Sequence, residues 1–378
     1  MTYRPLSPHW IWSGAGASIR STLRTTHLEA ALKRENNNFD LLRVLAASAV
    51  LVGHSYLISP RDGYVDPMKR LIGFNYSGGL AVMLFFFLSG VLVVDSYRRN
   101  PQLIRFGLAR IARIFPGLVA CLFITVTIVG PVFTSLRVGD YFAASGTSSY
   151  FFNNLLLTNL QWRLPGVFIQ SAYGLNGSLW TLPTEIRLYA GVALLGALRI
   201  LSFRWVASLI LAGMICAFCV LRTRIHFLTE THDLALLSVA FVTGAICAIN
   251  KRWVPFSGWM VAGFWIVTAI AWGGPAKEAA FYASFLYTCV FIFQLPGVCK
   301  LRLPGDYSYG IYIYGFVVQQ CVNALFPGCS PWFNAAIAVP VCLLLGAISW
   351  HMLEKPCLLW IKRLRLPGFT RPAAAHES

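Results

Sequence analysis

The sequence is short of charge. Only 12% of its 378 residues are charged while 57% are hydrophobic, and a water-soluble domain carries about a quarter charged residues. A soluble fold is therefore excluded, and the chain reads as an integral membrane protein. Acid is the scarcer sign, with 14 Asp and Glu against 31 Lys and Arg. The net charge of +17 does not call for nucleic acid, because no basic stripe with interleaved aromatics accompanies it. Cysteine forms no disulfide framework. The ten residues scatter, mostly through apolar runs. Cys216 and Cys219 make a CxxC, but within an apolar stretch that has no His or acidic neighbours. Such a pair reads as two small residues on one helix face rather than a redox or metal site, and no metal is expected. Residues 1–35 have no apolar leader core, so no cleavable signal peptide is expected. That segment is basic, with Arg4, Arg20, Arg24, Lys33 and Arg34, and it includes Trp10-Ile11-Trp12. It reads as a cytoplasmic tail able to lie on the membrane as an interfacial helix.

What the chain does have is apolar length. About ten stretches are long enough to cross a bilayer as helices. They cover 39–59, 79–97, 115–134, 181–201, 203–221, 234–250, 256–272, 279–298, 307–326 and 333–353. The expected fold is an all-α polytopic membrane protein. One membrane domain would run over 36–358, between the basic tail 1–35 and a short basic tail 359–378. The longest connections are 60–78 and 135–180, and the second holds SSYFFNNLLLTNLQW, an amphipathic helix candidate for the membrane surface.

Basic residues set orientation. With the N-terminus in the cytoplasm, the cytoplasmic segments hold Arg98, Arg99, Arg105, Arg110, Arg113, Arg199, Arg204, Lys251, Arg252, Lys300, Arg302, Lys362, Arg363 and Arg365. The opposite side holds fewer: Arg61, Lys69, Arg70, Arg137, Arg163, Arg222, Arg224 and Lys277. The bias supports ten spans with both termini cytoplasmic.

Ionisable residues inside apolar stretches are costly and have partners or tasks. The first stretch carries Asp40, Arg43 and His54. Arg43 and His54 are eleven positions apart, close to three whole turns, so they share a face about 16 Å apart along the axis. Asp40 is one turn before Arg43 and can pair with it. In RFGLARIARIFP, Arg110 and Arg113 share a face three residues apart, and paired guanidinium groups suit phosphate. Ordinary positive-inside anchors would look the same. In NGSLWTLPTEIRLY, Glu185 and Arg187 open an apolar span on the outer side, after Ser178 and Trp180. There Glu185 is an interfacial anchor, an ion-pair partner of Arg187, or a functional acid. Tyr307, Tyr309, Tyr312 and Tyr314 punctuate DYSYGIYIY, as an aromatic belt does.

The order of these motifs resembles the membrane acyltransferase-3 family. The shared elements are the Asp40–Arg43–His54 opening, LFFFLSGVL, the paired arginines of LARIARIFP, SLWTLPTE, SYGIYIY and the closing Glu354-Lys355-Pro356. Together they cover roughly residues 36–358. The chain departs from the family's tyrosine motif at Gly315, where a His is common. The resemblance implies a bacterial inner-membrane O-acyltransferase, with acetyl-CoA as donor and a cell-surface or secreted glycan as acceptor. It implies catalytic roles for His54 and Glu185, and donor-binding roles for Arg43, Arg110 and Arg113. Ser178, Trp180 and Tyr309 become candidate acceptor-contacting residues.

Acyl transfer to a hydroxyl needs a base, and a neutral His suits the task near physiological pH. On this reading His54 is that base, or transiently carries the acyl group. The rival class is a transporter or flippase of a glycan or lipid-linked substrate. Against it, no pair of Gly/Pro-broken helices recurs at matching positions in two halves.

Overall fold

A computed structural model describes residues 25–220 and 232–364. Most of the expected basic N-terminal tail, Arg222, Arg224 and Arg365 lie outside the described residues. Among those described, helices occupy all ten apolar stretches. We label them α1 (Phe39–Ile58), α2 (Ser77–Arg99), α3 (Leu103–Ile124), α4 (Leu182–Ala197), α5 (Arg204–Val220), α6 (His232–Ile249), α7 (Gly258–Ala271), α8 (Lys277–Ile292), α9 (Ser308–Leu325) and α10 (Pro331–Ser349). Shorter helices are named by residue.

Among the described residues, four helical stretches are long and apolar enough to cross a membrane by length and composition: Phe39–Ile58, Ser77–Arg99, Leu103–Phe133 and Pro331–Arg363. The other six helices measure 14 to 18 residues. At about 1.5 Å per residue they reach roughly 21–27 Å, against a hydrocarbon core of about 30 Å.

Both long outer stretches contain a widened turn, and proline explains each. Residues Thr125–Val129 form a π turn in which Gly130 N–H bonds Thr125 O, directly before Pro131. Residues Trp350–Glu354 form another, in which Lys355 N–H bonds Trp350 O, directly before Pro356. A helix-interior proline has no N–H to give, and its ring crowds the carbonyl four residues back. An extra residue in the turn relieves both problems without ending the helix.

Helices α2 and α6 pack backbone against backbone. A Cβ at Gly90 would meet the carbonyl oxygen of Phe241, and one at Gly244 would meet that of Phe87. Reciprocal glycines let the two backbones touch.

Hydrogen bonds sort the connections into two ends. At one end Asn38 N–H bonds Phe293 O at 2.8 Å and Leu28 N–H bonds Val254 O at 2.9 Å. Arg302 reaches Asn37 O, Arg98 reaches Ile249 O, and Arg105 reaches Lys362 O. Thr26–His27 (β1) also pairs there with Pro255–Phe256 (β2). At the other end Ser59 bonds Asn323, Asn75 bonds Tyr282, and Thr134 bridges to Val167. The grouping follows the alternation expected from charge. We call the first the arginine end and the second the far end.

The connection before α4 breaks the simple up-and-down pattern. Its amphipathic stretch forms the helix Ser145–Leu156, which buries Thr147, Tyr150 and Asn154 and leaves Phe152 and Leu156 exposed. The chain then turns inward at Leu157, whose φ is 55°. It descends along α9: Gln320 bonds Gly174 O, Asn176 bonds Ile313 O, and Thr181 bonds Tyr312. Tyr312 is only one turn into α9 from the arginine end. Helix α4 therefore starts inside the bundle, not at the far surface.

Candidate active site

Two adjoining hollows of about 270 Å³ and 50 Å³ lie among α1, α2, α3, α4 and α9. Arg43, Ser89, Glu185 and Tyr309 line both. The larger hollow adds Arg110, Arg113, Tyr189, Asp306 and Trp350, and the smaller adds Thr181 and Tyr312. All three candidate arginines thus face one cavity, together with Glu185 and Tyr309.

This corrects the position of Glu185. The sequence places it at an outer helix start, away from the arginine pair. Because residues 157–181 descend before α4 begins, Glu185 instead sits on the arginine-end cavity wall. It accepts a short hydrogen bond from the Tyr189 hydroxyl. Arg187, two residues on, lines a separate apolar hollow between α4, α5 and α6, as residues two apart on a helix must diverge.

The partner of Arg43 is a second correction. Asp40 lies 3.9 Å from Arg34, while Arg43 pairs with Asp306 at 2.5 Å. Asp306 lies in the link before α9 and also receives Arg113 Nη2 at 2.7 Å. Arg113 Nη1 meets Glu354 at 2.5 Å. Ser349 donates to Glu354 and Ser308 donates to Asp306. Burial pushes the Asp306 carboxyl up, but Arg113 and Arg43 beside it, with the Ser308 hydrogen bonds, hold it below the ordinary carboxylate value. The widened turn before Pro356 aims Glu354 inward, where the residue is fully buried at 0% exposure. The sequence reading gave Asp306 and Glu354 no role. Acid scarcity was the available signal: Arg43, inside an apolar stretch, requires a carboxylate, and few acids flank the spans.

The two arginines of the pair differ in their surroundings. Arg113 is enclosed by its two carboxylates, with the rings of Trp350 and Tyr309 centred 5.5 and 5.7 Å away. Arg110 pairs with no carboxylate among the described residues. Its guanidinium lies 5.6 Å from the Tyr189 ring centre and 5.9 Å from that of Phe106, and its buried Nε has no hydrogen-bond partner. Tyr189 therefore carries Arg110 on its ring and Glu185 on its hydroxyl. Tyr309 presents its ring to the cavity while its hydroxyl bonds Ile114 O at 2.7 Å.

His54 is not on this cavity wall. It is 5% exposed, its Nδ1 has no partner, and Phe316 packs edge-on against it at 5.2 Å. Arg43 and His54 do share a face, since both address the α9 side. Phe316 lies one turn beyond Tyr312, and the next turn brings Gln320. Together with Leu57, which lies one turn beyond His54, Gln320 lines a far-end cavity of about 640 Å³. That cavity also presents Ser135, Gln170, Tyr173 and Asn323, and no charged residue lines it among the described residues. Along the α1–α9 seam, His54 therefore lies between the arginine-end and far-end cavities.

Ser178 and Trp180 belong to the short helix Gly177–Thr181. Gly177 packs against the Phe316 ring, leaving no room for a Cβ. Ser178 is buried with an unpartnered Oγ, whereas Trp180 is half-buried against the main core. The structure brings Ser178 to the Phe316 side of the seam, apart from the arginines.

A family profile described as an acyltransferase domain, acyltransferase-3, matches residues 36–351. An O-acetyl transferase of Shigella phage Sf6 is 30% identical over 335 residues, covering 85% of this chain and 96% of the relative. Nodulation protein 10 of Rhizobium leguminosarum bv. viciae is 27% identical over 357 residues, covering 85% and 93%. No solved structure matches.

Proposed function

Because the chain belongs to the acyltransferase-3 family and is an O-acetyltransferase, we propose that it moves the acetyl group of acetyl-CoA, bound at the arginine end, to a hydroxyl of a glycan admitted from the far end. The carrying observation is the place of His54, which has a free Nδ1 on the seam between an arginine-bearing cavity and a neutral polar one. The arginine end suits a polyphosphate donor, and Arg110 is its most available cation. The far-end cavity, with amides, hydroxyls and aromatic rings but no charge, suits an uncharged sugar.

The chemistry follows from these positions. A sugar hydroxyl attacks the thioester carbonyl carbon as His54 takes the hydroxyl proton. The C–S bond breaks, the ester forms, and the proton passes to the leaving sulfur. Arg43 neutralises charge on the donor's path. Glu185, held by Tyr189, orients the donor's polar arm. Ser178 lies where an acceptor would approach His54, and Trp180 supports that loop.

This reading goes with the orientation expected from charge: ten crossings, both termini cytoplasmic, in a bacterial inner membrane. A cysteine placed at one of the exposed positions 135–140 of the 135–175 connection is expected to react with a membrane-impermeant thiol reagent added outside. Labelling only after membrane disruption would refute the orientation.

The activity itself is tested with purified protein, labelled acetyl-CoA and glycan from a deletion strain. The expected product carries one more acetyl group, with stoichiometric release of CoA. Glycan movement without thioester cleavage would support transport instead. Arg110→Ala should raise KM for acetyl-CoA about tenfold or more, the size expected for a lost charged hydrogen bond. The amount of folded protein should hold, because no carboxylate is left unpaired. An unchanged KM would remove Arg110 from donor binding.

A further inference from the structure

A second basic pocket opens at the arginine end, away from the reaction cavity. Its volume is about 490 Å³, and it gathers Arg98, Arg99, Arg204, Lys251 and Arg252 against only two acids, Asp95 and Glu29. It shares no wall residue with the cavities described above. The acids are already engaged: Asp95 pairs with Lys251 at 2.8 Å and Arg99 at 3.1 Å, and Glu29 pairs with Arg252 at 3.2 Å. Arg98 donates to Ile249 O. Arg204 pairs with no carboxylate among the described residues.

The surroundings of Arg204 are amphiphilic. Its guanidinium lies 4.4 Å from the Trp205 ring centre and 5.3 Å from that of Trp253. Both tryptophans are 70% exposed, and on the same helix Val206 and Leu209 face outward. Tryptophan at an exposed helix end marks the headgroup level of a bilayer. A surplus cation there, with an outward apolar helix face beside it, has the shape of a lipid site: charge for a headgroup and a shelf for acyl chains. Basic pockets of this kind hold anionic headgroups.

We propose that this pocket binds the phosphate of an anionic glycerophospholipid, with Arg204 as its principal contact and the acyl chains laid along the outer face of α5. A soluble phosphate would satisfy the cations but would leave the exposed tryptophans and the apolar shelf unused. The proposal rests on the chain lying in a bilayer and not on the identity of its acyl donor or acceptor.

The full-length protein is exchanged into mild detergent with equal phosphatidylglycerol and phosphatidylcholine, and retained lipid is read by native mass spectrometry. Phosphatidylglycerol should be retained at least about fivefold over phosphatidylcholine, and the preference should shrink with added salt as charge is screened. Arg204→Gln and Arg204→Glu should abolish the preference, while Arg204→Lys should keep most of it. Melting temperature without lipid should stay within about a few degrees of wild type in all three, since Arg204 holds no ion pair among the described residues and only exposed ring contacts are lost. Equal retention of the two lipids by the wild type overturns the proposal, as does full preference in Arg204→Glu. Displacement of phosphatidylglycerol by millimolar inorganic phosphate would assign the pocket to a soluble anion and overturn the lipid assignment.

Discussion

His54→Ala should lower acetyl transfer by roughly 10²–10⁴-fold per folded molecule, the usual contribution of a positioned general base. The imidazole is buried on the α1–α9 seam, and no group in the structure occupies its Nδ1. A histidine kept only for packing would gain from a hydrogen bond there, because an orphaned buried polar atom is costly. Alanine removes the base and leaves a good helix former. His54→Gln fills most of the space and retains hydrogen-bonding capacity, but it cannot act as the base, so it should be equally inactive. Acetylation of acceptor is measured against the folded fraction from size-exclusion profiles. Retention of more than about a tenth of wild-type turnover by either variant would remove the base assignment. Loss of folded protein in step with activity would reduce His54 to a packing residue.

Arg113→Ala should fail differently, by loss of folded protein. Removing one partner from a buried ion pair costs about 3–5 kcal/mol, because the remaining charge stays buried without its partner. Here Glu354 would be stranded, while Asp306, on a different element, would be left with Arg43 as its only cationic partner among the described residues. Arg113→Lys should not restore stability, since a single ammonium cannot reproduce two divergent guanidinium contacts. Combining Arg113→Met with Glu354→Gln should recover part of the loss, because it withdraws one stranded charge along with the cation. Thermal unfolding in detergent distinguishes the variants. A wild-type melting temperature for Arg113→Ala, accompanied by a raised KM for acetyl-CoA, would return Arg113 to the donor-binding role that its sequence motif implies.

The contrast between Arg110 and Arg113 shows where sequence reading reached and where it stopped. Apolar length located the helices α1 to α10, and helical spacing put Arg43 with His54, and Arg110 with Arg113, on common faces. Those are local properties of a regular backbone. The partners were not legible. Asp306 is 263 positions from Arg43, and no window around either residue reports the other. Asp40, a turn away from Arg43, was the nearer partner on spacing alone, yet it lies beside Arg34. The depth of Glu185 was hidden for a related reason. Hydropathy marks where a helix can begin, whereas the hydrogen bonds of Asn176 and Thr181 to α9 determine how far inside the bundle that beginning lies.

The widened turn at Trp350–Glu354 has a consequence for how the last long stretch is aligned and read. One surplus residue rotates everything after it by about 100° relative to an unbroken α-helix. A helical wheel drawn continuously from Pro331 to Arg363 therefore assigns faces wrongly beyond residue 350, and Glu354 looks like a residue at a helix stop. The spacing between Ser349 and Pro356 is a phase setting. A one-residue gap or insertion there would change which side chain meets Arg113 even if every surrounding letter were retained.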